Sequence, residues 1–271
     1  AILSRGHGQV PAAPAASASG VAGDSPVLPA LTEPLPPIPT ETDWPAAARA
    51  YAAAHPGNDG LIRLAEALEG VNAMAAGQQK KALDAIIQDG WQGNQPGVAT
   101  LMQSHAAAIG AAEAAADAPP FRLPPLLYPE SPSPNFLASQ AIVQLLLAKA
   151  RGLEAQGARD AAAIETLRAL RLASRFRDPE APTISHLIGI AGMTKAAQTL
   201  ESILAGGGLA PETIQTIGAQ IYDMEPTLPK ASSVNRVEAA VGLRSLRRMA
   251  GDPAYRAKYI GDVEKAAPAL A

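Results

Sequence analysis

From Trp44 onward apolar side chains recur at intervals of three and four, and the alternation that a half-buried strand requires is missing. Thr42 or Asp43 followed by Pro45 reads as a cap and first turn, so a helix is expected over residues 45–55, stopped by Pro56-Gly57-Asn58. Leu61, Leu64, Ala65, Leu68 and Val71 form the stripe of a second helix over residues 59–76. Ala82, Leu83, Ile86 and Ile87 mark a third over residues 78–88. Leu101, Met102, His105 and Ile109 lie on one face of a long alanine-rich helix over residues 98–116. Asn135 caps a helix to Gln156, Gly157 ends it, and residues 159–175 return antiparallel. Further helices are expected over residues 183–204, closed by Gly206-Gly207-Gly208, and over residues 211–224, opened by Pro211. Ser232 or Ser233 caps one running to Met249, and Pro253 begins the last, to about Ala266. The pattern predicts an all-α fold, a bundle or irregular array of helical hairpins with about ten helices.

Two stretches escape this periodicity. Residues 1–42 are dominated by Pro, Ala, Ser and Gly and end in Glu33-Pro34-Leu35-Pro36-Pro37-Ile38-Pro39. Proline forbids helix interiors, so this arm is expected to be extended. Its leucines and Ile38 give its second half something to bury. Seven prolines crowd residues 119–134 around Phe121, Leu123, Leu126, Leu127 and Tyr128, which reads as a strap lying on the body, because a solvated linker has no use for such anchors. The chain therefore divides into an arm (1–42), an N-terminal helical part (43–118), the strap (119–134) and a C-terminal helical part (135–271).

Composition narrows the chemistry. The absence of cysteine removes disulfides, thiolate catalysis and Cys-ligated metals. A formal charge of −3 and few aromatic residues argue against a nucleic-acid partner, which needs a basic stripe and stacking platforms. No run approaches the roughly 20 apolar residues of a transmembrane segment. A first residue of Ala rather than Met is what signal peptidase would leave, and favours an exported protein, periplasmic or at the cell surface.

Ala150, Gly157, Ala162 and Ala169-Leu170-Arg171-Leu172 place small residues, a turn glycine and an Ala-Leu-x-Leu segment as a tetratricopeptide repeat does. Residues 146–172 thus resemble one such helical hairpin, and the resemblance implies a surface that binds extended peptides or helices. The stretch from Leu167 to Ala173, followed by Thr183 to Ala191, is similar to a segment of uncharacterised exported bacterial proteins of high-GC genomes. That similarity implies a shared helical fold and no activity.

Four histidines, His7, His55, His105 and His186, include no pair four residues apart and none beside a Glu-x-x-His partner, so no metal or other cofactor is expected. His186 sits on an apolar helix with Ser185 beside it and Asp178 and Glu180 upstream, where a satisfied core histidine is commoner than a general base. No nucleophile elbow, phosphate loop or dinucleotide fingerprint occurs. Arg168, Arg171 and Arg175 share a helix face, as do Arg244, Arg247 and Arg248; each set suits a phosphate, a carboxylate or an acidic surface, or else a solvated face paired with local carboxylates.

The leading expectation is a non-enzymatic scaffold or accessory subunit that meets a protein partner, or its own copies, through Leu35, Pro36, Pro37, Ile38, Leu126, Leu127, Tyr128, Arg168, Arg171 and Arg175. The alternative is a small-ligand-binding protein or hydrolase-like enzyme with an interhelical pocket at His186 and the Arg168 to Arg177 face. A plain structural spacer is the third class.

Overall fold

Side-chain chemistry starts and stops the helices. The Asp43 carboxylate accepts from the Ala46 amide at 3.3 Å and Pro45 occupies the first turn of α1 (Trp44–Ala54). Asn135 Oδ1 accepts from the Leu137 and Ala138 amides at 3.0 and 3.2 Å and opens α6 (Phe136–Ala155). Gly157, at φ +80°, takes the left-handed turn that lets α7 (Arg159–Arg175) fold back. The other helices are α2 (Asp59–Val71), α3 (Gln78–Asp89), α4 (Pro96–Ser104), α5 (Ala106–Asp117), α8 (Thr183–Ala205), α9 (Pro211–Met224), α10 (Ala231–Gly251) and α11 (Pro253–Ala266).

The computed structural model describes residues 34–40, 43–71, 78–91, 96–224, 228 and 231–266, with backbone alone at 78–80, 96, 231–234 and 263–266. Among these the chain is all-α, with eleven helices and no strand. None of the helices is long and apolar enough to cross a membrane. Residues 34–271 form one compact unit; residues 1–33, most of the expected arm, lie outside the described residues. The capping read for Ser232 or Ser233 falls on residues described by backbone alone, and α10 begins at Ala231.

One expected helix is two. The alanine-rich stretch breaks between α4 and α5 at His105, where φ is −109° and ψ 17°. The Leu101 carbonyl there receives the His105 amide at 3.1 Å and the Ser104 hydroxyl at 2.8 Å, and the His105 ring nitrogen Nδ1 lies 2.9 Å from it. Polar side chains competing for one main-chain acceptor loosen the ladder, and α5 restarts when Ile109 donates to the His105 carbonyl.

A continuous apolar core runs from Trp44 to Met224 and includes Phe121 and Leu123 of the strap. α2 packs on α5, α6 on α7, and α7 on α8, while α1 covers α2 and α9 lies on α7. Glycine permits the approach of α2 to α5 and to the strap that follows it. A Cβ on Gly60 would stand 2.4 Å from Phe121 Cδ1 and 2.8 Å from Ala118 Cβ, and one on Gly70 would stand 2.7 Å from Ala108 Cβ. Gly60→Ala gains helix propensity of roughly 1 kcal/mol, yet overpacking costs about 1–3 kcal/mol and Phe121 has no room to retreat. The variant should melt several degrees below the parent in a thermal scan, and an unchanged or higher midpoint would contradict the role of Gly60 as the seat of the strap.

Candidate functional site

Proline segments accept hydrogen bonds they cannot return, and the two proline-leucine stretches meet where donors are supplied. The Tyr128 hydroxyl, fully buried, donates to the Pro36 carbonyl at 2.6 Å. Arg248 of α10 reaches the same carbonyl and the Tyr128 oxygen, both at 3.4 Å, with its guanidinium 5.6 Å from the Tyr128 ring centroid and 5.9 Å from that of Tyr255. Arg244, one turn earlier, donates to the Leu127 and Leu126 carbonyls at 3.3 and 3.5 Å. The Tyr255 hydroxyl closes the cluster on Glu130 at 3.2 Å. Leu35, Pro36 and Ile38 are half-buried here and Pro37 is exposed. The described end of the arm therefore lies on its own body, and Pro36, Leu126, Leu127 and Tyr128 are engaged within the chain.

Arg168, Arg171 and Arg175 come together as their spacing implies, and what they meet is the end of α5. Arg168 Nε and Nη2 lie 2.9 and 2.8 Å from Asp117 Oδ2, and Arg171 pairs with Oδ1 of the same carboxylate. Arg175 donates to the Ala118 carbonyl at 3.1 Å and stacks 5.3 Å from the Phe121 centroid. Cations at a helix C-terminus meet the negative end of its dipole and its unpaired carbonyls. Behind them, Glu165 is buried between Arg168 at 3.1 Å and Lys149 at 3.7 Å, and Lys149 also pairs with Glu113. Burial, then the charge of Glu113, pushes the Glu165 carboxyl up to about 7, against the pull of Lys149 and Arg168.

His186 is buried at the start of α8, its ring set against the backbone at Ala181 and Asp178 of the α7–α8 turn, and its Nε2 meets no hydrogen-bond partner among the described residues. Burial first, then the charge of Arg177, holds its imidazole below the usual value. Asp178 itself accepts from the Leu123 amide at 3.1 Å and the Glu180 amide at 2.9 Å, pinning strap to turn. Among the described residues no three of His, Asp and Glu gather as metal ligands.

The feature the sequence reading passed over is the outer face of α8. Its small residues turn inward: a Cβ on Gly189 would meet Arg177 Cγ at 2.6 Å and the Ala173 carbonyl at 2.9 Å, and one on Gly192 would meet Ala173 Cβ at 2.9 Å. Leu200 and Ile203 are buried with them, whereas Leu187 is 56% and Ile190 46% exposed and Ile184 and Leu204 are also in solvent. α9 leaves Ile214, Ile221 and Tyr222 exposed in the same way. Between the two helices, with Leu170 of α7 and Arg177 of the α7–α8 turn on its floor, runs an open groove of about 840 Å³. Met193, Leu200, Leu204, Ile221, Met224 and Leu228 give it an apolar lining, to which His186 does not contribute. The signal was present in the sequence as Gly189, Gly192 and Ala196 at spacings of three and four, which marks a close-packing stripe opposite Ile190 and Leu204.

Comparison with protein-family models, with curated proteins and with solved structures gives no match.

The buried Glu165 makes stability depend on pH. Its carboxyl titrates near 4.5 in the unfolded chain and about 7 in the folded one, so between those values the folded state holds a proton the unfolded state has lost. Its contribution therefore falls as pH rises through that window and is fully unfavourable above it. Melting midpoints of the parent and Glu165→Gln, taken from pH 5 to 8, should diverge with the parent losing ground as pH rises; a constant difference would refute this placement of the proton.

Proposed function

We propose that this chain is a non-enzymatic scaffold or accessory subunit that works by protein–protein contact, and that the contact is made by the outer faces of α8 and α9. The observation that carries this reading is the groove between them, walled by Ile190, Leu204 and Ile221 in solvent. Exposed apolar side chains scattered singly need no explanation, but Ile190, Leu204 and Ile221 stand together on the walls of one apolar trough, a clustering of the kind that marks an interaction site. Exposing them to water costs solubility, which a covering partner would restore.

The reading moves the contact away from the residues the sequence singled out. Leu126, Leu127, Tyr128, Pro36 and the three arginines make bonds within the chain, so each would have to break one to meet a partner. The α8–α9 face gives up only water. Helical hairpins that bind peptides or helices use such faces.

Ile190→Asp with Ile221→Asp tests it. Both side chains are substantially exposed, so the double variant should keep its helical circular dichroism and its melting midpoint. It should also lose whichever assembly the parent forms, with a native partner or with itself, as measured by mass in solution. A double variant that assembles as the parent does would sink the reading.

A further inference from the structure

If the α8–α9 groove is the contact surface, its shape and charge narrow what can occupy it. Ile190 and Leu204 stand fourteen residues apart on one helix, so the trough runs about 21 Å at 1.5 Å per residue. It is open along that length, since side chains of both walls, Ile190 and Leu204 on α8 and Ile221 on α9, are exposed rather than enclosed. An occupant must therefore be long and apolar on one side only. Positions Leu187, Ile190, Thr194, Ala197, Glu201 and Leu204 of α8 follow one another at alternating spacings of three and four, which is the seam another helix packs into.

The seam is interrupted by charge. Glu201 lines the groove, is exposed, and among the described residues makes no hydrogen bond or ion pair. The other carboxylates of the two walls, Glu212 and Asp223, are exposed as well, and the single lysine of the walls, Lys195, is paired with Asp84 of α3. Arg177 on the floor is held at the α7–α8 turn, with Nη1 4.0 Å from Met193 Sδ and Gly189 packed on its Cγ. An apolar helix seated in the groove would strand the Glu201 charge away from water, a desolvation that weakens binding unless a cation meets it. A second copy of this surface is no answer: an isologous contact repeats the same patch, and a concave trough does not fill itself.

We propose that the α8–α9 groove receives an amphipathic helix of a partner protein, about four turns long, with an apolar stripe at spacings of three and four and a lysine or arginine set against Glu201. The apolar stripe supplies affinity, and the cation fixes register and excludes acidic helices.

Two synthetic sixteen-residue helices with the same leucine stripe, one flanked by lysine and the other by glutamate, test this against the full chain by fluorescence anisotropy at physiological salt. The lysine peptide should bind at least about tenfold tighter, the scale expected for meeting or stranding a desolvated charge. Glu201→Lys should erase or invert that preference, and Ile190→Asp with Ile221→Asp should weaken both peptides. If both peptides bind equally and the double variant releases both, groove docking stands and the cationic partner falls. If neither peptide binds, or binding ignores the double variant, the groove is not a helix site and both readings fall. If the parent instead shows a concentration-dependent mass that the double variant loses, a second copy of this chain fills the groove and the proposal is overturned.

Discussion

Main-chain carbonyls without amide partners are the constraint around which this fold is arranged. Seven prolines in residues 119–134 and four in residues 34–39 remove donors while keeping every acceptor, and each helix end adds unpaired carbonyls. Arginine is the side chain with donors to spare and nothing to accept. Arg151, itself buried, donates through Nε and Nη2 to the Ile87 carbonyl near the end of α3 at 3.2 and 3.1 Å. Arg159 does the same for Ile203 near the end of α8 at 2.9 Å. Arg175 serves Ala118, Arg244 serves the strap, and Arg248 serves Pro36. Within the clusters of arginine that look on the sequence like a face awaiting an anion, Arg168 and Arg171 close on Asp117, while Arg175, Arg244 and Arg248 are donors to carbonyls that lack them.

That exchange explains what could be read beforehand and what could not. α7 starts just past Gly157 and α9 at Pro211, as those signals imply, because they act locally through backbone geometry. The burial of Phe121, Leu123 and Tyr128 also follows from composition, since anchors of that size in a proline-rich stretch need a surface. The break at His105 was hidden because it depends on which donors win a single carbonyl, a contest without periodicity. The partners of Arg168, Arg171 and Arg175 were hidden for another reason. Helical spacing places the three on one face, but Asp117 and Ala118 reach that face only when α5 crosses α7.

α8 illustrates a limit of hydrophobic patterning. An amphipathic helix announces its buried side by contrast, and α8 has little contrast to offer: Ser185, His186 and Thr199 lie on its buried side, and Leu187, Ile190 and Leu204 on its exposed one. Over its first half, size decides the matter in place of polarity. Gly189 and Gly192 let α8 lie close on Ala173 of α7, Ser185, His186 and Thr199 are carried inward with them, and Ile184, Leu187 and Ile190 are left outside; only further along do Leu200 and Ile203 turn in. The close approach of two helices and the exposure of an apolar face are thus one event seen from two sides.

The bond between Arg248 and Pro36 joins residues 212 positions apart. During synthesis the Pro36 carbonyl has left the ribosome long before its donors in α10 exist, by roughly 10 to 40 s at about 5–20 residues per second. Tyr128 arrives midway and can hold the proline segment first, with α10 locking it afterwards. The chain therefore carries a built-in order of events, in which the last long helices to emerge are the ones that fasten the earliest described residues.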